Sequence, residues 1–362
     1  GDGYIDNIRL GRSDTTGWGS NFARLKLLHK DDAGGELRLG LHHLNRNGRN
    51  DFFLRAGHLG QRDSVEADTG VNDIDYTLFS GEYTWPLDAD TRLTLAAGAS
   101  RTQWSYWTPT SLFGATNGYD LDMKGYHVEA RIQRQATAAS PVDWMAGFHV
   151  ARTDLNRPYL YDYAPYFRSA TASQVDGTTL AAFGEAGWHF APRWRRAAGL
   201  RLTRDRRELA WSSDQNGAVE SLQRKVGNNV WLPQLTLEYR PDDRQLAWAR
   251  VSRGYKAAGF NVYATQAVAA GDPYEPEYTN YAEIGYRARG ADDRWSVGAV
   301  AFHTRMRDQQ VVIQGQGGAT MTDNAGRSHT QGIELNASLR PVRTLELGGF
   351  AGYVKAVYDQ YQ

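Results

Sequence analysis

The sequence predicts an all-β fold, an antiparallel transmembrane β-barrel, and three observations predict it. Apolar and polar residues alternate at period two in segment after segment, while helical periodicity is hard to find. Short polar turns alternate strictly with longer connections rich in Gly, Asp, Asn and aromatics. Tyr and Trp gather beside the short turns, where such strands would cross a membrane–water boundary.

Bulk composition alone points the other way. The 362 residues carry 41 basic and 41 acidic side chains, a formal net charge of +0. That removes the basic excess expected of a nucleic-acid-binding surface. Cysteine is absent, which excludes a disulfide framework, a thiolate zinc site and a cysteine nucleophile. Mean hydropathy is −0.60, and no apolar run approaches the ~18 residues of a membrane helix. A barrel hides its apolar content, however, because alternate side chains face a polar lumen. Aromatics at 12%, with 20 Tyr and 11 Trp, and 38 Gly against 11 Pro suit extended strands, tight turns and half-wet surfaces.

Taken in order, GYIDNIRLG (3–11) reads as a first strand. Leu37, Leu39 and Leu41 then oppose Arg38 and His42, and Tyr126, Val128, Ala130 and Ile132 oppose His127, Glu129 and Arg131. In PQLTLEY, Leu235, Leu237 and Tyr239 oppose Gln234, Thr236 and Glu238. In GIELNASL, Ile333, Leu335, Ala337 and Leu339 oppose Glu334, Asn336 and Ser338. About fifteen such strands can be counted, many longer than the ~5–6 residues typical of globular proteins.

Short turns fall at 30–35, 86–90, 136–141, 191–193, 240–243, 289–293 and 340–343, on the predicted periplasmic side. The predicted extracellular loops fall near 10–19, 44–71, 107–118, 155–177, 213–228, 256–276 and 314–323. Five of the seven short turns have aromatic flanks: Tyr83 and Trp85; Trp144; Trp188, Phe190 and Trp194; Tyr239; Tyr286 and Trp295. A repeat of about 50 residues also fits propeller blades, but a blade needs four short strands where two long ones are read here. An odd strand count cannot close a bacterial single-chain barrel, so the chain reads as an incomplete one.

Five phrases then carry a family resemblance: SRGYKAAGFN (252–261), PYEPEYTNYAEIGYRA (273–288), AVAFHTRMRDQQVV (299–312), DNAGRSHTQGIELNASLRP (323–341) and LELGGFAGYVKAVYD (345–359). In this order they resemble the barrel of TonB-dependent outer-membrane receptors, in the ferric-siderophore branch that includes the pesticin/yersiniabactin receptor. GYIDNIRLGRSDTTGWGSNFARLKLL (3–28) is similar to an early barrel segment. Ala258 stands where the family phrase carries glycine.

The resemblance implies about 15 of an expected 22 strands, with residues 1–362 a partial receptor barrel whose plug domain and terminal strands are absent. It further implies a Gram-negative outer membrane, with outer-membrane lipid and lipopolysaccharide around the barrel. The function implied is uptake of a ferric siderophore energised by TonB with ExbB and ExbD, acting through the plug. No cofactor is implied, since iron is carried only as the siderophore complex. Receptors of this fold for cobalamin, haem or oligosaccharide, or a passive porin-like channel, are the alternatives.

Catalysis has no support in the residues. There is no Gly-x-Ser-x-Gly elbow, His-Glu-x-x-His pair or phosphate loop. His42 and His43 are neighbours on a strand, point to opposite faces, and cannot share a metal from one face. The Arg204–Glu208 run reads as a solvated segment above the membrane. The candidate ligand-binding residues are aromatic and basic. Trp104, Tyr106 and Trp107 lie at the top of a strand; Tyr159, Tyr161, Tyr163, Tyr166, Phe167 and Arg168 lie in a predicted long loop; Tyr255 and Lys256 lie where VSRGYKAAGFN stops alternating. Such side chains stack on flat ligands and donate charge-assisted hydrogen bonds to anionic ones.

Overall fold

The computed structural model describes residues 3–51, 60–110, 115–314 and 320–360. Two short strands, β1 (Asp6–Asn7) and β4 (Asp63–Ser64), pair with each other. The remaining described strands are β2 (Trp18–Lys30), β3 (Glu36–Gly48), β5 (Val71–Pro86), β6 (Thr91–Thr110), β7 (Ala115–Arg134), β8 (Val142–Tyr163), β9 (Phe167–Ala191), β10 (Trp194–Gln215), β11 (Ala218–Tyr239), β12 (Gln245–Lys256), β13 (Glu277–Arg289), β14 (Trp295–Gln314), β15 (Thr320–Val342) and β16 (Leu345–Gln360). Among the described residues these fourteen form one sheet in which each strand pairs with its neighbour in sequence. A single five-residue helix, α1 (Ala267–Gly271), is described, and no described helix is long and apolar enough to cross a membrane.

The registers fix two faces. One row runs Leu25–Leu41–Phe79–Ala99–Tyr126 across five strands; another runs Leu202–Trp231 and Leu235–Val251–Ala282. Phe148 at 69% exposure, Trp231 at 65% and Ile284 at 63% stand open on this face. In water so continuous an apolar surface would drive aggregation; against acyl chains it is the band a barrel requires. Every aromatic read as flanking a short turn falls on this face. Neighbouring rings touch: Tyr83 with Trp85 (6.1 Å), Trp188 with Phe190 (6.0 Å) and Trp194 with Tyr239 (4.5 Å).

The opposite face is charged and cross-linked. Arg38 and Arg131 both reach Glu82 (3.4 and 3.5 Å), while His149 lies 3.3 Å from Glu129. Arg195 joins three strands through Asp143, Glu185 (3.4 Å) and Glu238 (3.1 Å). Farther round, the Trp248 indole N–H and the Tyr281 hydroxyl both donate to Glu283, at 3.0 and 2.6 Å. Each half-exposed pair contributes little alone. Together they cross-link the polar side of strands whose other side is apolar.

Two expectations are corrected. GYIDNIRLG is not a barrel strand: β1 occupies two of its residues and Gly3 and Gly11 have positive φ. The Asn7 side chain is buried and donates to Asp51 (2.9 Å) and to the Glu66 carbonyl (3.1 Å), which anchors the segment in a polar knot. Among the described residues the long strands number fourteen, in keeping with the expected count of about fifteen. Finally, several predicted long loops are strand. Within 155–177, β8 and β9 leave only residues 164–166 as turn. Within 213–228 only Asn216 and Gly217 turn, with φ of 50° and 89°, the paired positive values of a tight hairpin. Strand also fills much of 107–118 and part of 314–323; residues 111–114 and 315–319 of those calls lie outside the described residues.

The face assignment is directly testable, because the chain has no native cysteine. Single cysteines at Ser296 and Ser338 should react with a membrane-impermeant thiol reagent in membrane-embedded protein. Cysteines at Leu237 and Leu335 should react only with a lipid-soluble one. Reversed labelling would invert the two faces.

Candidate functional site

Strands β6 to β11 run well beyond the apolar band on the side away from the short turns, and their inward faces form a vestibule. Period-two geometry decides which side chains enter it. Trp104 and Tyr106 share the inward face of β6, where Tyr106 lies directly across the ladder from Tyr119 of β7 and Trp104 reaches that residue on the diagonal. Tyr106 and Tyr119 are stacked at 5.4 Å, and Trp104 meets Tyr119 edge-on at 5.3 Å. The Trp104 indole N–H donates to Asn72 Oδ1 at 2.9 Å, which fixes the ring.

Arg157 of β8 completes the cluster. Its side chain is 3% exposed, and its guanidinium lies 4.0 Å from the Tyr263 ring centroid, 4.5 Å from Tyr119 and 5.3 Å from Tyr159. Its Nη1 donates to the Val262 carbonyl (3.0 Å), whereas Nε finds no partner among the described residues. No carboxylate pairs with it there. Three π faces partly replace the lost hydration. Burial pushes the guanidinium's pKa down, although an arginine stays charged. Burial, and then Tyr263, pushes the Tyr119 phenol up to about 12.

Tyr263 arrives on the 257–276 connection, which answers where VSRGYKAAGFN leads. The β11–β12 ladder ends at Gln234–Ser252. Above it, the loop lies over the inward faces of β8 to β11. Phe260 packs on Leu209 and Trp211. The Trp211 indole N–H donates to the Ala264 carbonyl (3.1 Å), and the Gln215 amide to that of Thr265 (2.6 Å). Asn261 donates to the Thr322 carbonyl (3.1 Å) and accepts from its N–H (2.6 Å). Gly259 pairs its backbone with Tyr274, whose ring occupies the space a Cβ would need.

The predicted residues thus divide. Trp104, Tyr106 and Tyr159 meet in the vestibule. Tyr161 with Phe167 (6.0 Å), and Tyr163 with Tyr166 (5.1 Å), form a second group at the β8–β9 tip. Trp107 and Arg168 face away: Trp107 covers Gly118, and Arg168 lies 3.6 Å from Asp162. Tyr255 packs against Tyr278 (5.7 Å), and burial, then the Asp205 carboxylate, raises its phenol. Lys256 is exposed at the end of β12. Sequence reading missed Tyr119, Arg157 and Tyr263. Only Arg157 carried a local signal, since it shares the parity of Tyr159, Tyr161 and Tyr163.

An antiparallel sheet with an apolar outer face, a charged inner face and tall extensions on one side defines an outer-membrane β-barrel. The chain belongs to the TonB dependent receptor-like, beta-barrel family, whose model matches residues 17–362. It is 29% identical over 204 residues to the pesticin receptor of Yersinia enterocolitica, covering 56% of this chain and 29% of that protein. The ferric yersiniabactin uptake receptor FyuA from Yersinia pestis matches its fold with a TM-score of 0.80 at 22% identity. That match covers 100% of this chain and 56% of FyuA, so the chain spans little more than half of it. The siderophore receptor PiuA from Acinetobacter baumannii matches with a TM-score of 0.70 at 12% identity, covering 95% of this chain and 58% of that one.

The raised Tyr119 phenol predicts an alkaline effect. Below pH ~10 the group is protonated whether folded or unfolded, so its contribution is complete. As pH rises toward about 12 the unfolded chain ionises first, and the contribution is lost through that window. Melting temperature against pH should therefore fall more steeply for the unmodified chain than for Tyr119→Phe. Parallel curves would refute the assignment.

Proposed function

We propose that this barrel takes up a ferric siderophore across the outer membrane in a TonB-dependent cycle, and that the aromatic vestibule receives the ligand. The observation that carries the reading is the inward cluster of Trp104, Tyr106, Tyr119, Tyr159 and Tyr263 around an arginine with no carboxylate partner among the described residues. Stacked rings accept a bulky, flat ligand at small entropy cost. A guanidinium without a counter-ion makes the vestibule positive, which suits an anionic iron complex and speeds its capture. The names of the pesticin receptor, FyuA and PiuA support the substrate class.

Arg157 is too buried for first contact. In this reading the half-exposed rings of Trp104, Tyr106 and Tyr263 meet the ligand first, and the β8–β9 tip group adds a second stacking surface. Iron enters as cargo inside the siderophore, with no resident metal. A plug domain outside these 362 residues would close the lumen, and TonB with ExbB and ExbD would supply the energy that rearranges it. The barrel supplies binding and passage; no bond is made or broken.

Substituting Trp104 or Tyr119 by Ala should weaken ferric-siderophore binding to cells about five- to tenfold each, from stacking worth roughly 1–1.4 kcal/mol. Tyr161→Ala and Tyr166→Ala should weaken it less, with surface expression unchanged. Unchanged affinity in all four variants would remove both clusters from the ligand path.

A further inference from the structure

The lipid-facing side changes chemistry abruptly on β12 to β15. On β14 the outward residues run Trp295, Val297, Ala299 and Ala301, then His303, Arg305 and Arg307. On β15 they run Leu339, Ala337, Leu335 and Ile333, then Gln331, His329 and Arg327. The register sets Arg305 opposite His329 and Arg307 opposite Arg327. Arg307 and Arg327, directly opposed on the sheet, repel each other, so an anion held between them would stabilise the pair. Arg253 joins from β12, its guanidinium 4.3 Å from the Tyr278 centroid.

None of these four guanidiniums has an ion-pair partner among the described residues, and the nearby Asp359 is engaged with His329 at 2.7 Å. Arg206, outside the patch, is by contrast paired with Glu208 at 2.7 Å. A cavity of about 390 Å³ is lined by His303, Arg305, Arg307, Arg327, His329 and Asp359. It adjoins a cleft of about 600 Å³ that includes Arg253 and opens where β12 parts from β11. Below lies an apolar groove of about 1000 Å³ bordered by Leu235, Leu237, Val251, Ile284 and Ala301, reaching up to His303.

Height identifies the leaflet. Arg305 is ten residues above Trp295, and ten residues of strand tilted near 45° rise about 23 Å, close to the ~25 Å apolar band. The basic patch therefore sits at the outer-leaflet headgroups. We propose that it binds the phosphate groups of a phosphorylated outer-leaflet lipid, with an acyl chain in the groove beneath. Fork-shaped guanidiniums match phosphate oxygens bidentately. The inference depends on the membrane-facing surface alone and is independent of which ligand the vestibule takes.

The test uses the full-length receptor that carries this barrel, purified in detergent and titrated with a bisphosphorylated outer-membrane glycolipid, its dephosphorylated form, and inorganic phosphate, read by native mass spectrometry. The phosphorylated lipid should be retained, with the other two binding at least about tenfold more weakly. Arg305→Gln with Arg327→Gln should abolish that preference, while Arg206→Gln should keep it. The double variant should melt no lower than the parent without lipid, because opposed charges are removed, and should lose the lipid-induced rise in melting temperature. Equal binding of both lipid forms, equal binding of inorganic phosphate alone, or full retention by the double variant would each overturn the proposal.

Discussion

A backbone crossing hydrocarbon has no water to satisfy its N–H and C=O groups, and every other feature of this chain follows from that constraint. Strand-to-strand ladders satisfy those groups without using side chains. Among the described residues the fourteen-strand sheet does this by pairing each of its strands antiparallel with the next one along the chain. Because side chains then alternate sides, each strand must solve two solvation problems at once. Leu235 and Leu237 answer lipid on β11, while Gln234 and Glu238 between them answer the lumen.

The inner network is the counterpart of the outer apolar band. A lone arginine facing the lumen would be free to lie anywhere; Arg195, shared by carboxylates from three other strands, locks their relative positions. Glycines serve the same packing. The space over Gly285 is filled by the Trp248 indole, whose N–H then reaches Glu283. A side chain at Gly285 would displace that ring and unsettle the hydrogen bond behind it.

Much of this was legible in the sequence, because period two is a geometric necessity that leaves a mark at every residue. The two faces, the short turns and the aromatic girdle are all local patterns. Strand ends were less legible. Above the membrane neither face needs to be apolar, so residues such as Asn156, Asp176 and Asn228 look like loop although they lie in paired strands. The Asn216–Gly217 hairpin was visible as a dipeptide yet hidden inside an assumed loop. Parity inside QWSYWTP separates Trp107 from Trp104 and Tyr106, and could have been applied there. Tyr119 and Tyr263 were out of reach: one enters by register with the preceding strand, the other by the folding of a loop.

That loop ties the membrane-crossing fold to the site. Freed from β11 above Ser252, the chain turns inward and covers its own strands, where Phe260 supplies apolar contact and Asn261 fixes the path against β15. The same segment delivers the Val262 carbonyl to Arg157 and the Tyr263 ring over its guanidinium. The segment that follows the break in period-two alternation thus builds part of the vestibule wall. In the proposed binding reading, recognition and architecture share residues, since the contacts that dock the loop also keep the buried cation in place. A ligand that displaced Tyr263 would expose Arg157 to itself and remove one of its three aromatic neighbours. Ligand charge could then replace the aromatic face it displaced, and binding would be coupled to loop position.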